Sequence, residues 1–504
     1  MGAAAGRGGH WWRRSGLPVL GVCLRTALAV LGLALGLAAC GGGDGGVKPS
    51  ITQVVVSPAA PVVPFNGTQQ FTAEAVYSDG SAVALSTGVT WSSSAASVLS
   101  VVANTGLGTG RAEGTATVSA AFGGVTGSVS VRVQAAFVEV AMGEKHALGV
   151  KEDGTLWAWG RNNWGQLGIG SSGDSSVPVP VRVGTDKNWS KVAVGAWHSL
   201  AIRTDGTLWA WGLNQNGQLG VGDVEPRLSP AKVGTTSTWF SLAAGGSHSV
   251  ARQKDGKLFT WGRNHFGQLG HGNSLDRRSP TEVPAPTGSS STAKWDAITA
   301  AADHTLAIRT DGTLWAWGRN DVSQLGPSGA EGTVNVPTLV DFEEPSWYWI
   351  AVSTGPTHTL AVRSDGVLYS WGSAANGRLG RSANGATASP AQVGEFEDWV
   401  KVSAGGAHSL AIRQGGTLWS WGANDRGQLG DGGAVTERSF PAQVVIPQVS
   451  TTLTWTDVWA GFNSSSARTS ANALWTWGDD THGQLGVGGS GSTGQQQLSP
   501  VKVN

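Results

Sequence analysis

The chain has 504 residues, enough for about three domains of the usual ~150 residues. Its 34 Lys and Arg residues balance 34 Asp and Glu residues, which argues against the basic face of a nucleic-acid-binding protein and against an acidic disordered tail. With 76 Gly, 25 Trp and only two Cys residues, the composition favours short strands joined by glycine turns and excludes a disulfide framework.

The first 39 residues have the features of an export signal. Arg13 and Arg14 precede an apolar run over 26–37, which is shorter than the ~20 residues of a membrane span. The following Leu-Ala-Ala-Cys resembles the lipobox of bacterial lipoproteins, which implies that Cys40 receives lipid and becomes the mature N-terminus. We therefore expect an exported lipoprotein of the bacterial envelope, at the outer membrane or cell surface. An ordinary signal peptide with an incidental cysteine stays open.

Residues 40–50 are predicted to form a flexible, Gly-rich tether. From 51 to 134 the sequence alternates polar and apolar residues in short runs separated by turn clusters, which is typical of a β-sandwich. The pieces Val56-Ser57-Pro58, Tyr77-Ser78-Asp79-Gly80 and Val89-Thr90-Trp91-Ser92-Ser93 resemble the group 2 bacterial immunoglobulin-like domain. That resemblance implies a surface spacer or adhesion module with Trp91 in its core.

Residues 137–504 contain a sevenfold repeat. The dipeptide Trp-Gly recurs at intervals of 50 to 56 residues, at Trp159, Trp211, Trp261, Trp317, Trp371, Trp421 and Trp477. Most units also carry an Asp-Gly pair between two apolar runs, which predicts a tight hairpin. Because both faces of the outgoing strand are apolar, one hairpin cannot bury its own tryptophans. The units are therefore expected to stack and to close into a seven-bladed β-propeller.

The repeated pattern, which combines Val-x-x-Gly, His-x-Leu-Ala, Leu-Trp-x-Trp-Gly and Gly-Gln-Leu-Gly, resembles the regulator of chromosome condensation repeat, a family of seven-bladed propellers. The whole chain is thus expected to be all-β, with an immunoglobulin-like sandwich followed by the propeller. The C-terminal segment 499–503 looks like a copy of the strand that opens each later unit. We expect it to complete the first blade, which begins at Phe137 without a copy of its own.

Six units carry a histidine at one fixed position, and Ser464 replaces it in the seventh. Because these histidines lie about 50 residues apart, they lack the spacing of a metal site, and we expect them to bond neighbouring backbone. Recognition should instead use positions at which the units differ. The candidate binding residues are Trp164, Trp197, Phe266 and Arg426, followed by Trp347 and Tyr348. Local packing is the alternative role for each.

No catalytic, phosphate-binding or calcium-binding motif is evident, so the sequence predicts neither an enzyme nor a cofactor or metal site. We expect a lipid-anchored envelope protein that binds or adheres through its propeller, with a protein or glycan partner, membrane contact through Cys40 and no nucleic acid. Family resemblance offers two alternatives, a guanine-nucleotide-exchange regulator and a secreted enzyme inhibitor. Light sensing would need tryptophan clusters beside the repeated histidines, and Trp197 alone stands there.

Overall fold

The computed structural model describes residues 48–326, 332–340, 347–445, 454–488 and 496–503. Within these ranges the chain is all-β, apart from one 3-10 turn at Ala375–Gly377. None of the helices within these ranges has the length and apolarity needed to cross a membrane. The predicted signal peptide, Cys40 and most of the predicted tether lie outside the described residues. The chain from Ile51 onward forms one compact unit.

Residues 51–134 form three small sheets around a shared core. The first has the order β1-β4-β5, the second β2-β10-β9-β6 and the third β3-β8-β7. The strands are β1 Ile51–Ser57, β2 Val62–Pro64, β3 Thr68–Gln70, β4 Thr72–Tyr77, β5 Ala82–Leu85, β6 Thr90–Ser93, β7 Leu99–Val101, β8 Leu107–Gly110, β9 Gly114–Phe122 and β10 Val125–Gln134.

The predicted alternation is present in these strands. In β9, Ala116, Val118 and Ala120 point inward while the residues between them are more exposed. Trp91 is buried as expected, with its ring centroid 6.4 Å from that of Phe71. Because alternate side chains of a strand face opposite sides of its sheet, this pattern places one apolar face against the core.

From Phe137 onward, the described residues form seven four-stranded antiparallel sheets, which we number one to seven in chain order. Sheet one contains β11 Phe137–Met142, β12 His146–Lys151, β13 Leu156–Asn162 and β14 Gly173–Arg182. Sheet two contains β15 Trp189–Val194, β16 His198–Arg203, β17 Leu208–Gly212 and β18 Arg227–Lys232. Sheet three contains β19 Trp239–Ala244, β20 His248–Gln253, β21 Leu258–Gly262 and β22 Arg277–Glu282.

Sheets four to seven repeat this arrangement. Sheet four contains β23 Trp295–Ala301, β24 His304–Arg309, β25 Leu314–Asn320 and β26 Gly332–Leu339. Sheet five contains β27 Trp349–Thr354, β28 His358–Arg363, β29 Leu368–Ser373 and β30 Ala386–Gln392. Sheet six contains β31 Trp399–Ala404, β32 His408–Arg413, β33 Leu418–Ala423 and β34 Glu437–Gln443. Sheet seven contains β35 Trp455–Ala460, β36 Ser464–Thr469, β37 Leu474–Asp479 and β38 Gln496–Lys502.

The hairpin of sheet two shows why the repeated sequence forms these sheets. Gly206 takes φ +79°, which suits the tight turn, and Asp205 Oδ1 accepts hydrogen bonds from the backbone N–H and hydroxyl of Thr207. Trp211 is buried between sheets, and its Nε1 donates to the carbonyl of Gln166 in the preceding unit at 2.9 Å. The tryptophan therefore contributes both apolar area and a bond between neighbouring units.

The first and last sheets are also joined. Trp159 Nε1 in sheet one donates to the carbonyl of Gln484 at 2.8 Å, and the N–H of Gly488 donates to the carbonyl of Pro178 at 2.9 Å. Trp159 and Phe137 of sheet one share a buried cluster with Leu474 of sheet seven. These contacts close the series of sheets.

The predicted role of the C-terminal strand is wrong. β38 pairs with β37 in sheet seven, while sheet one is completed by its own β14. The repeated Pro-x-x-Val segment follows the hairpin of each unit rather than opening the next unit, and sheet one carries its copy at Pro180-Val181-Arg182-Val183. Each sheet is therefore made from one continuous stretch of chain.

Candidate functional site

Each of sheets one to seven has two distinct ends. The turn end carries the hairpin between the second and third strands, such as Asp205-Gly206. The loop end carries the turn before the second strand, such as Gly195-Ala196-Trp197, and the long loop that follows Trp-Gly. Four of the six predicted binding residues lie at positions of the loop end where the units differ, so the candidate site is built there.

The repeated histidines lie just beneath the loop end and are buried. His146 Nε2 lies 3.0 Å from Ser199 Oγ of the next sheet, and Ser199 Oγ donates to the carbonyl of Gln166 at 2.7 Å. Since the hydroxyl proton is engaged by that carbonyl, we assign the shared proton to Nε2 of the imidazole. The same imidazole-to-hydroxyl contact recurs in His198–Ser249, His248–Thr305, His304–Thr354, His358–Ser409 and His408–Ser465.

The prediction that these histidines are structural agrees with this geometry, although their partners are hydroxyls of the next sheet rather than neighbouring backbone. Burial lowers the pKa of His198 to about 3, so its imidazole is neutral. A Cβ placed on Gly195 would come within 2.4 Å of the Nδ1 of His198, which explains the glycine in the Val-x-x-Gly segment. Among the described residues, no group of three or more His, Cys, Asp or Glu side chains is arranged to hold a metal ion.

A central cavity of about 260 Å³ opens between the inner strands of sheets one to seven. Its lining is mostly glycine and alanine, with Glu144 as its one ionisable side chain among the described residues. Such a lining offers little for general acid–base or nucleophilic chemistry. The cavity therefore gives no support to a catalytic site.

Trp197 is the centre of one cluster at the loop end. The Nζ of Lys145 lies 4.9 Å from the Trp197 ring centroid, and the guanidinium carbon of Arg161 lies 5.6 Å from it. Lys145 also pairs with Glu144 at 3.0 Å. Arg161 makes no ion pair with any residue that the structure describes. Two cations thus lie against the half-buried Trp197 ring. One of them, Arg161, has no carboxylate partner among the described residues.

Phe266 is the centre of a second cluster, between sheets three and four. The guanidinium carbons of Arg263 and Arg319 lie 5.8 and 5.1 Å from its ring centroid. Both arginines also approach the carboxylate of Asp303, at 3.6 and 3.8 Å. In this cluster the cations have an internal partner. Of the remaining candidates at this end, Trp164 is exposed, and the side chain of Arg426 lies 3.7 Å from Asp425.

Trp347 and Tyr348 lie apart from the other candidates. Both precede β27 and are exposed at the turn end of sheet five. The guanidinium carbon of Arg363 lies 4.8 Å from the Trp347 ring centroid. The structure therefore does not bring the six predicted binding residues together, because four lie at the loop end and two at the opposite end.

Sequence reasoning missed the charged neighbours of the aromatic candidates. Arg161, Arg263 and Arg319 all occupy the position directly after Trp-Gly, which varies between units. A comparison of that position across the units would have identified them. Lys145 and Asp303, which belong to the same two clusters, occupy the position before the repeated histidine, and that position is equally variable.

Comparison with known protein families matches most of the chain. The model described as RCC1-like domain matches residues 57–350, a range that includes much of the predicted sandwich. Models of the regulator of chromosome condensation (RCC1) repeat match residues 365–412, 415–467, 349–378 and 399–428. Together the family matches contain the six repeated histidines and the first six Trp-Gly positions, and they end before Trp477.

Similar curated proteins include the ultraviolet-B receptor UVR8 of Arabidopsis thaliana, which is 34% identical over 352 residues, 70% of this chain and 55% of that protein. The probable E3 ubiquitin-protein ligase HERC3 of Homo sapiens is 34% identical over 262 residues, 52% of this chain and 20% of that protein. The chain thus spans about half or less of these relatives.

Solved structures show the same fold at lower identity. Human WBSCR16 gives a TM-score of 0.62 at 23% identity, covering 69% of this chain and 94% of that one. Yeast RCC1 (Prp20), solved bound to Kap60, gives a TM-score of 0.60 at 22% identity, covering 73% of this chain and 85% of that one.

Proposed function

Because the chain belongs to the family of RCC1-like domains, we propose that it is a protein-interaction scaffold of the bacterial cell envelope. In this proposal sheets one to seven are the seven blades of a propeller, and residues 51–134 are an immunoglobulin-like spacer. Residues 1–39 are the signal peptide, and lipid on Cys40 attaches the chain to the membrane through the tether. The chain is not an enzyme in this proposal and needs no cofactor.

The observation that carries the scaffold proposal is the separation of repeated from variable residues. The repeated tryptophans and histidines are buried and bonded between sheets, whereas many of the residues at which units differ are displayed at the loop end. Trp164 and Arg426 are exposed at that end, and aromatic residues and arginine are frequent at protein interfaces. A rigid scaffold that displays dissimilar loops is suited to recognition rather than to turnover.

The similar proteins support a protein partner over a glycan. A yeast relative is described as RCC1 bound to Kap60, and a second structure of Prp20p is described with its binding to Gsp1p and histones. The ligase activity named for HERC3 is not carried over, because the similarity covers 20% of that protein. We propose by analogy that this chain binds an envelope protein.

Site-specific photo-crosslinking tests the scaffold. A photoreactive amino acid would replace Trp164 at the loop end or Asp205 at the turn end of the full chain, with irradiation of intact cells followed by mass spectrometry. We expect a discrete partner from position 164 and none from position 205. Equal labelling from both positions, or no adduct from position 164, would contradict the proposal.

The lipid anchor is tested separately by mass spectrometry of the mature N-terminus. We expect an acylated Cys40 in the wild-type chain, and a Cys40→Ser variant that leaves the membrane fraction. A mature chain that begins at Met1, or an unmodified Cys40 on a membrane-bound chain, would overturn the anchor and leave the scaffold standing.

A further inference from the structure

The contact between sheets seven and one differs from the other contacts between consecutive sheets, and we call it the seam. Everywhere else an imidazole of one sheet meets a hydroxyl of the next. At the seam, Ser464 stands in place of the histidine and Ala147 in place of the hydroxyl residue. Ser464 Oγ is buried and has no partner among the described residues. The seam therefore lacks a side-chain bond that the other six junctions possess.

Side chains above the seam correspond in position to those of the Phe266 cluster. Between sheets three and four, Asp303 lies before the repeated histidine, Gln268 lies in the Gly-Gln-Leu-Gly loop, and Arg319 follows Trp-Gly. The carboxylate of Asp303 accepts a hydrogen bond from Gln268 Nε2 at 3.3 Å and lies 3.8 Å from Arg319. The Asp303 carboxylate thus lies beside an amide from the loop of sheet three and a guanidinium from sheet four.

At the seam the positions of Asp303, Gln268 and Arg319 hold donors and no carboxylate, while Asp479 occupies the position of Arg263. Lys145 replaces the aspartate, Gln484 supplies the amide and Arg161 supplies the guanidinium. Gln484 has the same orientation as Gln268, because its Oε1 accepts the N–H of His482 at 2.8 Å just as Gln268 Oε1 accepts that of Phe266 at 2.9 Å. The side chain of Gln484 is buried, and its Nε2 has no partner among the described residues.

Three acidic groups lie nearby, Glu144, Asp479 and Asp480, and Asp480 Oδ1 accepts the N–H of Leu485 at 3.0 Å. Glu144 pairs with Lys145 at 3.0 Å, and Asp479 Oδ1 accepts the N–H of Thr481 at 3.1 Å. None of the three lies within ion-pair distance of Arg161. Burial, together with the charges of Arg161 and Lys145, lowers the pKa of His482, so its imidazole adds no positive charge at neutral pH. The available donors are thus the Arg161 guanidinium, the Gln484 amide and the shared Lys145 ammonium.

We propose that Arg161, Gln484 and Lys145 bind a carboxylate side chain of a partner protein, which takes the place that Asp303 occupies between sheets three and four. The partner segment is an acidic peptide that presents Asp or Glu to the seam, with Trp197 flanking it. A guanidinium beside a planar carboxylate favours paired, charge-assisted hydrogen bonds. This inference rests on the proposed scaffold function and identifies the chemistry of its partner.

The test uses calorimetric titration of the full chain with a blocked decapeptide of alternating Glu and Gly, and with its Gln-Gly counterpart. We expect the Glu peptide to bind and the Gln peptide not to bind. Arg161→Gln should weaken binding about tenfold, because it removes a charged donor. Arg319→Gln is the matched control, since that arginine already has internal carboxylates, and it should change affinity less than about twofold.

A second variant keeps the test decisive if Arg161→Gln unfolds the chain. Glu144→Gln releases Lys145 from its internal partner and should tighten binding of the Glu peptide about threefold. Equal binding by the wild type and Arg161→Gln, or equal loss in Arg319→Gln, would overturn the site. Stronger binding of tetragalacturonate than of the peptide would overturn the protein partner in favour of an acidic glycan.

These outcomes are separable from failure of the scaffold. If position 164 crosslinks to a partner and Arg161→Gln leaves that adduct unchanged, the scaffold stands and the carboxylate site falls. If position 164 yields no adduct while the Glu peptide binds as predicted, the site stands and the proposed cellular function falls.

Discussion

At the scale of single residues, the six repeated histidines are buried, neutral connections between sheets. Each Nε2 contacts a hydroxyl one sheet further along the chain. The sequence was sufficient to predict a structural role, because one histidine per unit cannot supply the ligand spacing of a metal site. It could not identify the partners, since the contacting hydroxyls lie 50 or more residues away and only the stacking of sheets brings them close.

These histidines should make the fold sensitive to acid. Burial lowers the pKa of His146, His198, His248, His304 and His408 to about 3 and that of His358 well below its usual value. Below pH ~6.5 the unfolded chain takes up protons that the folded chain does not bind, so stability falls as pH decreases. Urea unfolding across pH 4.5–7.5 should show this loss.

His198→Gln provides the specific check on that prediction. Removing one buried imidazole should lower the proton uptake on unfolding by about one near pH 5. An identical pH profile for wild type and His198→Gln would contradict the assignment of a neutral buried imidazole.

Asp480 should give the stability of the fold the opposite dependence on pH. It occupies a position that is asparagine in most units, it is buried, and its Oδ2 has no partner among the described residues. Burial raises its pKa to about 6, so the folded chain binds this proton more tightly than the unfolded chain. Stability is therefore lost as pH rises from ~4 to ~6. Asp480→Asn should add about 2 kcal/mol to the unfolding free energy at pH 7.5 and nothing near pH 4.

Asn214→Asp is the reciprocal change in sheet two. The Nδ2 of Asn214 donates to the carbonyls of Asp223 and Glu225, and an aspartate cannot make these bonds when ionised. We expect this variant to lose stability at pH 7.5. An increase in stability for Asn214→Asp would show that the amide bonds do not set the preference.

At the scale of strands and sheets, the hairpin pattern predicted the sheets well, but the C-terminal strand β38 was assigned to the wrong sheet. The Asp-Gly turns and alternating tryptophans are local signals, and they correspond to strands that the structure contains. The repeated Pro-x-x-Val pattern is matched by Pro180-Val181-Arg182-Val183 and by Pro500-Val501-Lys502-Val503. Pattern matching alone therefore could not assign the C-terminal segment to sheet one or to sheet seven. Pairing between β37 and β38 settles the assignment.

The closure of the ring can be probed with one glycine pair in the loop of sheet seven. Gly486 and Gly488 have φ of +72° and +73°, so alanine strains both. A Cβ on Gly486 would also lie 3.0 Å from Trp159 Nε1, whereas one on Gly488 would meet Val179 at 3.5 Å. Gly486→Ala should therefore cost more stability than Gly488→Ala, which should cost about 1 kcal/mol. Equal losses by urea unfolding would argue against tight packing of Trp159 at the seam.

At the scale of the whole molecule, the three small sheets of residues 51–134 and sheet one share a tight joint. Lys151 Nζ lies 2.7 Å from both carboxylate oxygens of Glu113 and 4.1 Å from the Trp157 ring centroid, and its side chain is only 4% exposed. The N–H of Glu152 donates to the carbonyl of Ala136 at 2.9 Å in the connecting segment. The joint is therefore ordered by a buried ion pair as well as by backbone bonds.

Breaking one side of this ion pair should weaken the joint. Glu113→Gln removes the carboxylate that pairs directly with the buried Lys151 ammonium, and we expect a loss of about 3 kcal/mol in unfolding free energy. The double variant Glu113→Gln with Lys151→Met removes both charges and should recover part of the loss. Calorimetry would measure both variants, and a loss in the double variant as large as in the single one would contradict a charge-based cause.

The absence of an imidazole bond at the seam has a mechanical consequence. The seam has one imidazole–hydroxyl bond fewer than the other junctions between described sheets, and it joins the first and last units of the repeat. A partner carboxylate bound by Arg161 and Lys145 of sheet one and by Gln484 in the loop of sheet seven would link these two sheets. Binding of an acidic partner and resistance of the ring to opening would then be coupled. A bound ligand would therefore stabilise the closed arrangement of all seven sheets.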